Sequence, residues 1–361
     1  EFPMAQWARP AARHWRGAPA VVMGYGAPFG HAGLRAAIAA HLRANRGIAC
    51  ETEQIFIVGG AQQAFHLIGA VLLDAGDKVW FENPGAIGAR NSLLACGADL
   101  VPVPVDGEGL RVDEGLRLCR EFRLAFVTPS HQQPLGHVMS LERRFALLRS
   151  AEQAGAWIVE DDYDGEFFFG RRPLPTLKSV DRTGLVIYVG TFSKSLFPAL
   201  RLGFMLVPPS LTGAFEKVFA AFVQGVPTGV QATVADFIEE GYFAAHVRRM
   251  RRIYEERHDA LYEAAAREMG GLLDVSRAES GLHTIGRLAA HLSEVAVARA
   301  AAARGIAVSP ITRYSLAPAG VNGLVLGFGA IKPEAIRSGV RVLSEVLQGL
   351  VRPKRMAGAR G

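Results

Sequence analysis

Short apolar, β-branched runs alternate with stretches of helical period along the first two-thirds of the chain. The pattern predicts strands at Ile55–Val58, Lys78–Phe81, Leu100–Val103, Leu124–Thr128, Trp157–Asp161, Val186–Gly190 and Gly203–Val207. Between several of them it predicts helices at Gln62–Leu73, Ile87–Cys96 and Leu141–Ala154. The last opens on Ser140 as an N-cap, with Arg143 where a capping box would want Glu. Buried-type strands alternating with helices imply a mostly parallel, doubly wound sheet. Ligands of such sheets bind at the carboxyl ends of the strands.

After about residue 210 the pattern changes. Helices are predicted at Leu211–Gln224, Gly229–Glu240, Tyr242–Glu268, Ser293–Arg304 and Pro333–Leu350, with short strands at Leu282–Gly286 and Leu324–Phe328. The first 25 residues read as an extended arm before a helix at Gly33–Asn45. The expected organisation is an arm over 1–30, a large domain over 31–225, and a smaller α+β domain with a long connecting helix over 226–361. No repeat or low-complexity linker interrupts it. No apolar run reaches the roughly 18 residues of a membrane-spanning helix. The start, Glu1-Phe2-Pro3, does not read as a signal peptide, and the missing initial Met suggests a fragment.

Composition supports a large core: 361 residues, 50% hydrophobic and 20% charged, which excludes global disorder. The net charge is +6 and the isoelectric point about 9.4. Only six of the 40 basic residues are lysine. The charges are spread along helices as Arg-Arg or Arg/Glu pairs, so solvated helix faces explain them better than a nucleic-acid surface. The tail Val351-Arg352-Pro353-Lys354-Arg355 is expected to fray. Cys50, Cys96 and Cys119 have neither metal nor disulfide-framework spacing, so a reducing cytoplasm is expected.

The candidate chemistry sits just past predicted strands. Gly59-Gly60-Ala61-Gln62-Gln63 opens a helix whose amino end favours an anion. Thr128-Pro129-Ser130-His131-Gln132-Gln133-Pro134-Leu135-Gly136 is a polar loop in which His131 is a candidate base. In Glu160-Asp161-Asp162-Tyr163-Asp164, carboxylates at the end of a buried strand require a cation. No His or Cys joins them at metal-ligand spacing, and a protonated ring nitrogen is the other candidate. Thr191-Phe192-Ser193-Lys194-Ser195 places a lysine among hydroxyls, with Arg201 seven residues on. Such a lysine forms a Schiff base with an aldehyde, and the hydroxyls with Arg201 suit a phosphate. Each segment alone has a plainer reading: a turn, a loop histidine, a surface lysine. Together they match pyridoxal 5′-phosphate, with its phosphate, pyridinium and aldehyde.

In order and spacing the chain resembles fold-type I aminotransferases. More narrowly it is similar to the effector domain of MocR-type transcriptional regulators of the GntR superfamily. The likeness rests on Val127–Gln132, Glu160–Phe167, Gly190–Leu196 and His246-Val247-Arg248-Arg249-Met250-Arg251. It implies that Lys194 forms the internal aldimine, Asp161 pairs with the pyridine nitrogen and Tyr163 bonds the ring hydroxyl. It implies phosphate-side roles for Thr191, Ser193 and Arg201, with Gly60, Ala61 and Gln62 at the helix end, and a homodimer in which Tyr25 reaches the partner's phosphate.

Three departures stand out. Ala86 follows Asn83-Pro84-Gly85 where an aromatic normally stacks on the ring. Gln133 stands where catalytic aminotransferases place asparagine. No arginine lies near Gly323-Leu324 to hold a substrate carboxylate, which leaves Arg313 and Arg287 as weak substitutes. The family's winged helix-turn-helix is absent from this chain, so DNA contact is expected only through an N-terminal domain outside it. The expected function is sensing of a small amine or amino acid through an external aldimine, with at most slow half-transamination. A working aminotransferase is the alternative, and a cofactor-free binding module the third class.

Overall fold

The computed structural model describes residues 1–17, 22–170, 173–223 and 225–351. The basic stretch predicted at 352–355, and Gln224 at a predicted helix end, lie outside them. The main sheet has eight strands: β1 (Ile55–Val58), β2 (Lys78–Asn83), β3 (Asp99–Asp106), β4 (Gly109–Leu110), β5 (Leu124–Val127), β6 (Trp157–Asp162), β7 (Val186–Thr191) and β8 (Gly203–Leu206). Their spatial order is β1-β8-β7-β6-β5-β2-β3-β4. The middle, from β7 through β6, β5 and β2 to β3, is parallel. The edges close with antiparallel β8, β1 and β4.

Successive residues of these strands enter opposite cores. Val79, Phe81, Leu124, Phe126 and Val159 pack on one face, Trp80, Ala125, Val127 and Ile158 on the other. With both faces covered, nearly every strand position is apolar, which is why the runs read so clearly from sequence. The same alternation carries on to the polar end of β6. Asp161 faces the side of Val159, and Glu160 and Asp162 face the side of Ile158.

A second, antiparallel sheet has the order β11-β12-β10-β9, formed by β9 (Leu273–Val275), β10 (His283–Leu288), β11 (Ser309–Pro310) and β12 (Gly323–Gly327). Helices Tyr242–Glu268 and Pro333–Val351 pack against each other and share a core with this sheet.

The N-terminal segment departs from expectation. Met4–Gly17 is a helix rather than an extended arm, although Pro10 lies inside it. Trp7, Pro10 and His14 turn inward at helical spacing, and the helix packs on Thr228–Glu239. Trp7 and Phe2 meet Phe197 and Phe237 edge-on or stacked, with ring centroids 4.8–6.0 Å apart. Arg13 pairs with Glu240, and His14 lies 2.8 Å from Asp236. These contacts outweigh the missing Pro10 N–H.

Candidate cofactor-binding site

At the carboxyl ends of β6 and β7 lies a cleft of about 340 Å³. Ten residues singled out by sequence line it: Gly60, Ala61, Gln62, Gln133, Asp161, Tyr163, Thr191, Ser193, Lys194 and Arg201. They come from five separate segments, so only the fold brings them together.

The acidic end of β6 resolves carboxylate by carboxylate. Glu160 accepts from the Leu177 and Lys178 backbone N–H groups at 2.8 and 2.7 Å, with the buried Arg144 guanidinium 3.8 Å away. Burial pushes Glu160 up to about 7, against the pull of Arg144. Asp162 accepts from Arg46 and from the Tyr188 hydroxyl on its Oδ2, its Oδ1 remaining unpartnered. Asp164 lies 2.9 Å from His131 Nδ1. Asp161 is left over. It is buried, and its Oδ1 has no hydrogen-bond partner. Burial holds its carboxyl well above the usual range, and Asp162, Asp164 and Glu82 push the same way, with Lys194 opposing. A cationic group in the cleft is what this oxygen lacks.

Opposite it, Thr191 ends β7 and caps a single helical turn, Phe192–Ser195, by accepting from the Ser193 N–H at 3.2 Å. That turn presents Lys194 to the cleft. β7 reaches this point through Gly190, where a Cβ would lie 2.3 Å from the Phe204 ring. Next to it, Arg201 adopts φ 48°, the one left-handed non-glycine among the described residues. Strain of this kind, of order 1–3 kcal/mol, gathers at functional sites. Gly60, with φ 117°, precedes helix Ala61–Leu72, and a Cβ there would lie 3.6 Å from the Arg201 guanidinium. Free backbone N–H groups at the start of that helix, Arg201, Thr191 and Ser193 together make an anion seat.

Three expected residues lie elsewhere. Tyr25 is 89% exposed and does not line the cleft of its own chain. Arg313 is exposed on a short turn and Arg287 is exposed on β10 opposite Gly323; neither lines the cleft. β12 carries no arginine, and its Leu324 is fully buried. Ala86, buried in the cleft wall, stands where a stacking ring was missed in the sequence.

Sequence spacing also hid several partners. Arg46 and Arg144 neutralise the far face of β6 from helices about 120 and 15 residues away in the chain. His131 and His283 gather on Asp164, with ligand-type atoms within 4.8 Å of one another, so the acidic cluster does have histidine neighbours. Glu82, at the end of β2, is fully enclosed and accepts from the Thr128 N–H, the Thr128 hydroxyl and Gln132 Nε2 at 3.2, 2.5 and 3.1 Å. Burial raises it to about 7 despite these bonds. A glutamate directly after the apolar run Val79–Phe81 was the signal available.

The donor set fits pyridoxal 5′-phosphate. The orphaned Asp161 oxygen suits a protonated ring nitrogen, the Gly60–Arg201 cradle a phosphate, and Lys194 an aldehyde. The sequence profile of the family "Aminotransferase class I and II" matches residues 2–325. The chain is 42% identical over 349 residues to the "Probable rhizopine catabolism regulatory protein MocR" of Rhizobium meliloti, spanning 97% of this chain and 70% of that protein. It is 33% identical over 360 residues to the 2-aminoadipate transaminase of Thermus thermophilus, spanning 97% and 88%. Among solved structures, the α-aminoadipate aminotransferase LysN of Thermus thermophilus, complexed with N-(5′-phosphopyridoxyl)-L-leucine, superposes with a TM-score of 0.89. It is 31% identical, over 97% of this chain and 90% of that one. The chain belongs to the aminotransferase class I and II family, with the fold-type I architecture built around pyridoxal 5′-phosphate.

Proposed function

We propose that this chain is the amine-sensing domain of a MocR-type transcriptional regulator, with pyridoxal 5′-phosphate held in the cleft. Lys194 would engage the cofactor's aldehyde, Asp161 its ring nitrogen, Tyr163 its ring hydroxyl, and Thr191, Ser193, Arg201 and the helix start at Gly60–Gln62 its phosphate. When bound, the cofactor supplies an electrophilic carbon that a free amine takes over from Lys194. Gln133 borders the ring side of the cleft. The effector is a small amine or amino acid, and its displacement of Lys194 would shift the one-turn helix that carries it. Just beyond that turn the chain meets the N-terminal segment: Phe197, three residues after Lys194, packs against Phe2 and Trp7. DNA would be contacted through a segment outside this chain.

The observation that carries the sensor reading over a working transaminase is the cleft's cation count. Among the described residues lining it, the only cations are Lys194 and Arg201, and both already have cofactor roles. No second arginine remains to clamp a substrate carboxylate, and such clamps orient the labile bond in transaminases. The identity to a protein named as a MocR regulator supports the same reading. A homodimer is supported by three large apolar side chains left in solvent: Met23, Tyr25 and Phe222 are 79%, 89% and 81% exposed.

The test is spectroscopic. The cofactor-loaded chain should show a visible band that borohydride abolishes and that selected amines shift saturably. A band that no amine shifts, across primary amines, amino acids and amino sulfonates, would rule the sensor out.

A further inference from the structure

We infer that the buried His131–Asp164 pair is a positioning device that fixes the hydroxyl proton of Tyr163 toward the cleft; this rests on the cofactor site proposed above. His131 Nδ1 lies 2.9 Å from Asp164 Oδ2 and 3.0 Å from the Tyr163 hydroxyl oxygen. Its Nε2 is buried with no partner. One nitrogen therefore faces two oxygens, and it holds at most one proton.

For a neutral imidazole beside a carboxylate, two arrangements satisfy that count. In the first, the proton sits on Nε2 and Tyr163 donates to a bare Nδ1. The Nε2–H is then an orphaned buried donor, and the Asp164 oxygen meets a lone pair. Both are costly. In the second, Nδ1 carries the proton and donates it to Asp164, with the Tyr163 oxygen as a second acceptor at the same hydrogen. Only a bare acceptor, Nε2, is left without a partner, which is the lesser penalty. The geometry therefore assigns the proton to Nδ1. Tyr163 then has no acceptor at His131 and keeps its own O–H to donate, and Tyr163 is one of the residues lining the cleft.

The surroundings lock this arrangement. Gly136 and Gly281 press on the imidazole: a Cβ at Gly136 would sit 3.1 Å from Nε2, and one at Gly281 2.2 Å from the ring carbon. His283 lies over both rings, 4.8 Å from His131 and 6.5 Å from Tyr163, nearly parallel to the latter. Burial, then His131, lowers His283 to about 4, so it contributes a neutral ring. Burial, then Asp164, Asp161 and Glu82, raises Tyr163 well above its ordinary value, so the phenol keeps the proton it is positioned to give.

The experiment reads the pH midpoint of the visible band of the cofactor-loaded full chain. Donation from Tyr163 to the ring hydroxyl oxygen stabilises its anion, so Tyr163→Phe should raise the midpoint by about 1 unit, tenfold in the titrating equilibrium. His131→Phe, which keeps a ring of similar shape, should shift it the same way by at least half as much. Added to Tyr163→Phe it should shift it no further. His131→Asn keeps an N–H near the Nδ1 position and should restore most of the wild-type midpoint. It also serves if the Phe variant does not fold. An unchanged midpoint in His131→Phe, a failure of His131→Asn to restore it, or full additivity with Tyr163→Phe overturns the device while leaving the cofactor site intact. A wild-type chain with no borohydride-sensitive band overturns both.

Discussion

Neighbouring carboxylates on β6 are expected to respond to the same substitution with opposite signs. In the cofactor-free chain each carboxylate has a buried Oδ1 without a partner, but only Asp162 is anchored, by Arg46 and Tyr188 on its Oδ2. Asp161→Asn removes a carboxyl that folding strands away from water. Its pKa in the folded chain lies above the ordinary 3.8, so the folded state keeps its proton longer than the unfolded state. Stability therefore falls as pH rises above about 4 until the folded pKa is passed, and the Asn variant lacks that fall. Between pH 5 and pH 8 the cofactor-free variant should therefore gain stability relative to the parent, because only the parent must ionise or hold a proton at this buried site. Cofactor binding should move the other way. Loss of the ring nitrogen's counter-charge in a buried pair costs about 3 kcal/mol, roughly two decades in Kd. Asp162→Asn should do the reverse. It leaves the Arg46 guanidinium, with 5% of its side chain exposed, without its counter-charge, which costs about 3–5 kcal/mol of stability. Cofactor affinity per folded chain should change little. Thermal unfolding of cofactor-free protein at pH 5 and 8, with absorbance titration of the cofactor, reads both quantities. A destabilised Asp161→Asn chain, an unchanged cofactor Kd for it, or parallel behaviour of the two variants would refute the division of roles across the strand.

Other outcomes follow from single contacts. Lys194→Ala should eliminate the borohydride-reducible adduct without unfolding the chain, because its side chain projects from one turn into the cleft; mass spectrometry after reduction checks it. Gly60→Ala should cost about 1–2 kcal/mol from its φ of 117° alone, and relief of that strain at the helix start should weaken phosphate-side binding, read by cofactor titration. Glu82→Gln should flatten a pH dependence. The wild-type carboxyl titrates near 7 when folded and near 4.5 when unfolded, so the parent loses stability between those pH values and the variant does not. Unfolding midpoints at pH 4.5, 6 and 8 show it.

The buried strands were legible because a sheet covered on both faces leaves long apolar runs, and six of the seven predicted in the large sheet match within a residue or two. β3 extends further, through Asp99–Asp106, since its outer residues are only half-buried and break the run. The two-residue strands β4 and β11 carry too little pattern to be seen. The N-terminal helix was hidden by Pro3 and Pro10, whose local signal was overruled by the packing of Trp7 and Phe2 on Phe197. Within the site, residues at strand ends declared themselves by type. Their partners did not, because Arg46, Arg144 and His283 reach β6 from distant segments, and no linear spacing records such a meeting.

If the cleft takes an amine but lacks the clamp for efficient transamination, as proposed, amine binding and turnover should separate. The direct measurement mixes the cofactor-loaded chain with an effector amine and an excess of keto-acid acceptor, and counts keto product per chain while following the visible band. The expected result is a saturable band shift with no more than about one product per chain over the assay. Sustained turnover at ordinary transaminase rates, of order 1 per second or more, would contradict it.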